Sequence, residues 1–347
     1  MNELVFCTTV TPGYEHEAEA LARNLLETEG SGLQFEAFVV GPRRNDLVDL
    51  PGLTWRFAED LSLNSDELAA VQRALSGFEM ACLMKPRALY SVLHHRPGAV
   101  GIYLDTDVLS LRAFPSALRS LKGVGLSRHT SLLDPAEFPV HAHVGLFNAG
   151  VVACSADCLD FTLWWDELCA RSASHPAAQP DHDQRFLDWV PAHWPVTDLL
   201  AFGINPGPWN ISEFDWSGTG TIAFSGTDLT LFHVSTLRTH VPPETPTQIV
   251  EIIERFRRFR PPPSAPSVKP SGLGQLGRAL KRSRVRRSRS LPLRSAVLDG
   301  VRYSSATVRE LFGPPHARWG PPLLYRSINA VRAEQPRSSD CSHLGLP

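Results

Sequence analysis

Asp105 and Asp107 flank a single threonine at the end of an unbroken apolar run, Ala99 to Leu104 (AVGIYL). Side chains along a strand alternate with period two, so residues i and i+2 point to one side and the two carboxylates are expected to converge. Oxygen ligands of this kind suit Mg²⁺ or Mn²⁺, which keep several waters and accept substrate phosphates as remaining ligands. Acidic residues also stand at strand ends because strand ends meet solvent, so the elements around the pair must decide.

Those elements alternate. Leu4 to Val10 reads as a strand, Tyr14 to Glu29 as a helix, Gln34 to Val40 and Leu53 to Phe57 as strands, and Asp66 to Leu93 as a helical region, with Pro86 expected to divide it. Ala99 to Leu104 then has the continuous apolar character of a central parallel strand covered on both faces. Val144 to Cys154 reads as a strand, Asp157 to Ala170 and Asp181 to Val190 as helices, Thr230 to Val234 as a late strand, and Thr245 to Phe259 as a closing helix. The order predicts an open α/β sheet, in which ligands gather beyond the carboxyl ends of the strands, and that is where Asp105-Thr106-Asp107 stands.

With 43% apolar residues in 347, the chain can bury one substantial core. Residues 261–347 carry 15 Lys/Arg against 4 Asp/Glu, leaving 19 against 32 in residues 1–260, which places a domain boundary near residue 260. The basic, Pro/Ser/Arg-rich 261–347 segment is expected to be a flexible solvated tail, with anionic membrane as its alternative partner. Without aromatic interleaving or an RNA-binding motif, no nucleic-acid partner is expected. Six cysteines are too sparse for a secreted disulfide scaffold, and Cys154 and Cys158 read as packing residues. No basic start with an apolar core and no apolar run of about 18 residues occurs, so a cytoplasmic protein is expected, at most peripheral at the inner membrane face.

Several segments follow one another in the order of a known family: Thr8, Thr9 and Tyr14 around the first strand, then Met84-Lys85-Pro86-Arg87-Ala88-Leu89, Tyr103 to Val108 and Gly145-Leu146-Phe147-Asn148-Ala149-Gly150-Val151. Phe161 to Asp166, Asp181-His182-Asp183-Gln184, Asn205-Pro206-Gly207 and Leu231-Phe232-His233-Val234-Ser235 continue it. Over residues 4–260 the chain resembles bacterial GT-A fold glycosyltransferases close to family 8. The resemblance implies a Rossmann-like mixed sheet with flanking helices, a nucleotide-diphosphate sugar donor, a glycan or other hydroxyl acceptor, and transfer with retention. It assigns Asp105, Asp107 and His233 to a Mn²⁺ or Mg²⁺ ion, and Thr8, Thr9, Tyr14, Lys85, Arg87 and Thr106 to the donor. It places Asn148, Asp183 and Gln184 on the sugar and acceptor side as catalytic residues.

Without the family, His233 reads as a hydrogen-bonded core residue, Lys85 as a solvated helix cation and Asp183 as a helix-end carboxylate. The family's Lys-Pro-Trp ending is missing after His233, so either Arg238 replaces its phosphate-binding lysine or phosphate binding is arranged differently. Two alternatives accompany the transferase reading: a GT-A-shaped protein that binds nucleotide or glycan without turnover, and a dehalogenase-type phosphatase with Asp105 as nucleophile. The latter normally carries its Asp on the first strand.

Overall fold

Alternation along the first strand, β1 (Leu4–Val10), decides how the sheet is covered. Leu4 and Phe6 point to one face, where they meet Ala18, Leu21, Ala22 and Leu25 of α1 (Glu15–Glu29). Val5 and Cys7 point to the other and join Ala88, Leu89 and Val92 of α3 (Gly77–His95). The computed structural model describes residues 2–63, 65–129, 145–173, 182–215, 223–224 and 227–260. These lie within the first of the two units into which the chain divides, Met1–Ser290. The tail expected at 261–347 falls outside the described residues.

A seven-stranded mixed sheet forms the centre, in the order β3-β2-β1-β4-β7-β6-β8. Its strands are β2 (Phe35–Val39), β3 (Leu53–Arg56), β4 (Val100–Leu104), β6 (Val124–Arg128), β7 (Phe147–Ser155) and β8 (Val196–Asp198) with β1. β4 is central and covered on both faces as expected. It runs parallel to β1 but antiparallel to β7, which makes the sheet mixed. α4 (Leu159–Ala173) packs against α3, and Phe161 and Trp165 enter the core on that face.

Pro86 does not divide the helical region. It lies inside α3, and the break falls between α2 (Ser65–Ala74) and α3, where Ser76 caps the second helix. Ser76 Oγ accepts from Glu79 N at 3.3 Å and Glu79 Oε2 accepts from Ser76 N at 2.7 Å, a reciprocal cap that starts α3 at this point. Asp181 lies outside the described residues; the expected helix there is one turn, α5 (His182–Arg185), followed by the 3₁₀ segment Phe186–Ala192.

Two smaller sheets complete the unit. β5 (Val108–Ser110) pairs antiparallel with β12 (Leu231–His233), and β9 (Phe214–Asp215), β10 (Ala223–Phe224) and β11 (Thr227–Asp228) form the other. β12 is fixed from behind by α6 (Thr247–Phe259), whose Ile249, Ile252, Ile253 and Phe256 bury against Leu109 and Phe232.

Candidate metal centre and its surroundings

Asp105 and Asp107 sit on the connection between β4 and β5, not along a strand as their spacing predicted. They converge because both ends of that connection are pinned: Asp105 N donates to Gly150 O at 2.7 Å, and Val234 N donates to Asp107 O at 2.9 Å. The β5–β12 register sets His233 opposite Val108, the residue after Asp107. Ligand atoms of Asp105, Asp107 and His233 consequently all lie within 4.8 Å of one another.

His233 Nε2 stands 3.0 Å from Asp107 Oδ1. Cis ligands of an octahedral ion at about 2.1 Å are themselves about 3 Å apart, so this pair has the spacing of two ligands on one cation. Two carboxylates and an imidazole also form a donor set that Mn²⁺ and Mg²⁺ accept. These residues fit the ion the sequence resemblance implies. Burial would raise the pKa of Asp107, but the facing His233, with Arg238 and Arg260 behind it, holds its carboxyl well below the usual range.

β7 supplies the frame. Its pairing with β6 passes from Leu126↔Val152 to Ser127↔Asn148, so Ala149–Val151 form a bulge, a device that re-aims side chains beside sites. Gly150 within it is indispensable to the packing: a Cβ there would lie 2.2 Å from His233 Cε1. Asn148 Oδ1 accepts from Gly150 N at 2.8 Å and from Asn205 Nδ2 at 3.0 Å. Asn205 Oδ1 in turn lies 3.0 Å from His233 Nδ1. Gln184 Oε1 accepts from Ala149 N at 3.1 Å and from Asn148 Nδ2 at 3.2 Å.

Lys85 is no solvated cation. Buried on α3, its Nζ lies 3.0 Å from Asp105 Oδ1 and 3.0 Å from Asp183 Oδ2. Desolvation opposes its charge, yet Asp105 and Asp183 more than offset this and raise its pKa well above the ordinary value. Burial, assisted by Asp105, raises the pKa of Asp183 despite the ammonium beside it. Tyr103 donates to Asp105 Oδ1 at 3.0 Å.

Asp105, Asp107, His233, Lys85, Asp183, Asn148 and Gln184 are therefore joined in one network. The other expected residues are placed differently. Thr8 Oγ1 donates to Leu104 O at 2.6 Å and Thr9 Oγ1 to Ala81 O at 2.8 Å, so both hydroxyls are taken up inside the fold. Tyr14 is exposed at the start of α1, Thr106 is half-buried between the two carboxylates, and Arg87 pairs with Asp166 at 2.8 Å. Asn205 and Tyr103 are site residues to which the sequence alone assigns no role. Their signal was adjacency to chemistry, Tyr103 two residues before Asp105 and Asn205 in a Gly/Pro-rich turn.

No family model and no curated protein matches this chain. Among solved structures it is similar to the apo form of the bifunctional glycosyltransferase WbbM, with a TM-score of 0.46 and 11% identity over 74% of this chain and 49% of that one. This chain thus spans about half the length of that protein. It is similar as well to the galactosyltransferase LgtC in complex with donor and acceptor sugar analogues, with a TM-score of 0.44 and 14% identity over 78% of this chain and 99% of that one. The glycosyltransferase GlyE of Streptococcus pneumoniae TIGR4 gives 0.45 and 12% over 74% and 60%.

Proposed function

We propose that the protein is a metal-dependent glycosyltransferase that moves a sugar from a nucleotide-diphosphate donor to a glycan or other hydroxyl acceptor, with retention of the anomeric configuration. The observation that carries this reading is the convergence of Asp105, Asp107 and His233 within 4.8 Å beyond the carboxyl end of the central strand β4. A bound divalent cation would supply charge neutralisation for the departing diphosphate.

The remaining roles belong to the chain. Lys85, held by Asp105 and Asp183, keeps the two carboxylates from repelling one another and fixes their spacing. In a retaining transfer the bond from the anomeric carbon to the diphosphate oxygen breaks, and the acceptor oxygen bonds to the same face. The acceptor's proton passes to the leaving phosphate oxygen. Gln184 and Asp183 are the residues we assign to orienting the sugar and supporting its developing positive charge. Tyr14 and the backbone around Thr8 and Thr9 are assigned to the base and ribose, with Thr106 and Arg87 toward the donor. A phosphatase acting through Asp105 is less well supported, since that carboxylate follows β4 and not the first strand.

Thermal shift with a panel of nucleotide sugars tests the reading, because a ligand bound to the folded state raises stability by mass action. At least one nucleotide sugar should raise the melting temperature with Mn²⁺ and not with EDTA, and Asp107→Asn should abolish that difference. Equal shifts in Mn²⁺ and EDTA would remove the metal role.

A further inference from the structure

We infer that Asn205, backed by Asn148, fixes the tautomer of His233 and so makes Nε2 the nitrogen presented to the metal; the inference rests on Asp105, Asp107 and His233 acting as cation ligands. The assignment starts from a group whose identity is not in question. A backbone N–H is always a donor, and Gly150 N lies 2.8 Å from one terminal atom of Asn148, which must therefore be Oδ1. A second backbone donor checks this from another direction: Ala149 N donates to Gln184 Oε1 at 3.1 Å, and the same oxygen receives Asn148 Nδ2 at 3.2 Å.

With Asn148 fixed, the rest follows link by link. The Asn205 atom 3.0 Å from Asn148 Oδ1 must be the donor Nδ2, so the oxygen of Asn205 is the atom facing His233. Across 3.0 Å that oxygen can only accept, and His233 Nδ1 must carry a proton. In the neutral ring this leaves the lone pair on Nε2, directed at Asp107 Oδ1. The 3.0 Å between Nε2 and Asp107 Oδ1 is bridged by a proton or by a cation, and an ion ligated by both atoms takes that place.

Asn205 is fully buried, and Asn148 and His233 are buried as well, so bulk water does not compete for this contact. Its backbone is left-handed, with φ of 68°, a region asparagine tolerates better than most residues and one that tends to be retained at functional sites. Gly150 packs against the Cε1–Nδ1 edge of the ring, where an added Cβ would lie 2.2 Å from Cε1.

Partners that orient a metal-binding histidine typically change metal affinity by about 10–100-fold when removed. The variant to use is Asn205→Gly, which accepts the left-handed backbone while deleting the amide. Electron paramagnetic resonance titration of Mn²⁺ should show affinity falling by about 10–100-fold, with circular dichroism unchanged. Equal Mn²⁺ affinity in folded Asn205→Gly would overturn the orienting role while leaving the metal reading intact. Absence of Mn²⁺ binding by the wild type would sink both. If Asn205→Gly does not fold, ¹⁵N NMR of the wild-type protein with Mg²⁺ decides, with the His233 signals assigned by their loss in His233→Gln. A proton on Nδ1 supports the inference and a bare Nδ1 overturns it.

Discussion

At Lys85 one ammonium holds two carboxylates, and its removal has a pH dependence whose sign can be worked out. Breaking a buried ion pair from one side costs on the order of 3–5 kcal/mol because the remaining charge stays buried. In Lys85→Met, Asp183 loses the ammonium that does most to lower its pKa, leaving burial and Asp105, which raise it, against the backbone hydrogen bond from Gln184. A group whose folded pKa lies above its unfolded value contributes stability that is complete below the unfolded pKa and is lost as pH rises through the folded one. Lys85→Met should therefore be much less stable than wild type at pH 7, and the deficit should shrink as the pH is lowered toward about 4, the unfolded value of an aspartate. Urea denaturation of both proteins across that range reads it; a deficit that grows on acidification would contradict the buried triad. Asp183→Ala tests the same centre by turnover. It should lose about 10²–10³-fold in rate, as removal of a preorganised electrostatic group does, while still binding donor and Mn²⁺. Normal turnover would return Asp183 to a structural role.

Among the elements, the bulge in β7 bears most directly on the site. Its three residues Ala149–Val151 have left the β6 ladder, and their backbone meets Asp105, Gln184 and the His233 ring instead. Gly150→Ala would place a Cβ 2.2 Å from His233 Cε1 and 2.5 Å from Nδ1, so the ring or the strand must yield. Overpacking of this kind costs about 1–3 kcal/mol. The expected result is a lower melting temperature together with weakened Mn²⁺ binding by calorimetry. Unaltered Mn²⁺ affinity would mean that the ring does not depend on this contact. Element existence was readable beforehand because apolar periodicity is local: β1, α1, β4 and α6 lie within a residue or two of where the pattern put them. The division of the long helical region was misplaced because Pro86 is conspicuous in a sequence, whereas the Ser76-x-x-Glu79 cap that starts α3 is a quieter signal with more hydrogen bonding behind it.

On the scale of the whole molecule, every residue in the site network lies between Lys85 and His233, and the helix that fixes β12 ends at Phe259. A chain ending at Arg260 should therefore unfold in one cooperative transition and keep its Mn²⁺ response. The charge imbalance beyond that point predicts a different consequence of truncation: full-length protein should sediment with anionic vesicles at low salt and the shortened chain should not. Equal partitioning of the two would remove the membrane role of the basic segment. Among the described residues no helix is long and apolar enough to cross a bilayer. The five described cysteines form no disulfide with one another and are buried, as expected of Cys154 and Cys158 as packing residues.

The sequence by itself determined the strands and helices up to the Ala99–Leu104 run, the central place of that run and the two carboxylates at its end, since each depends on neighbours a few residues apart, whereas the short strands β5, β6 and β8 carry too little periodicity to be read. Tertiary structure alone decided how those carboxylates meet and what surrounds them. The antiparallel register of β5 and β12 brings His233 to Asp107 across 126 positions, and Lys85 reaches Asp183 from another helix. Asn205 became visible only there. An asparagine in a Gly/Pro turn carries no mark of its partner, and the hydrogen bonds that fix its orientation come from β7, a strand more than fifty residues earlier in the chain.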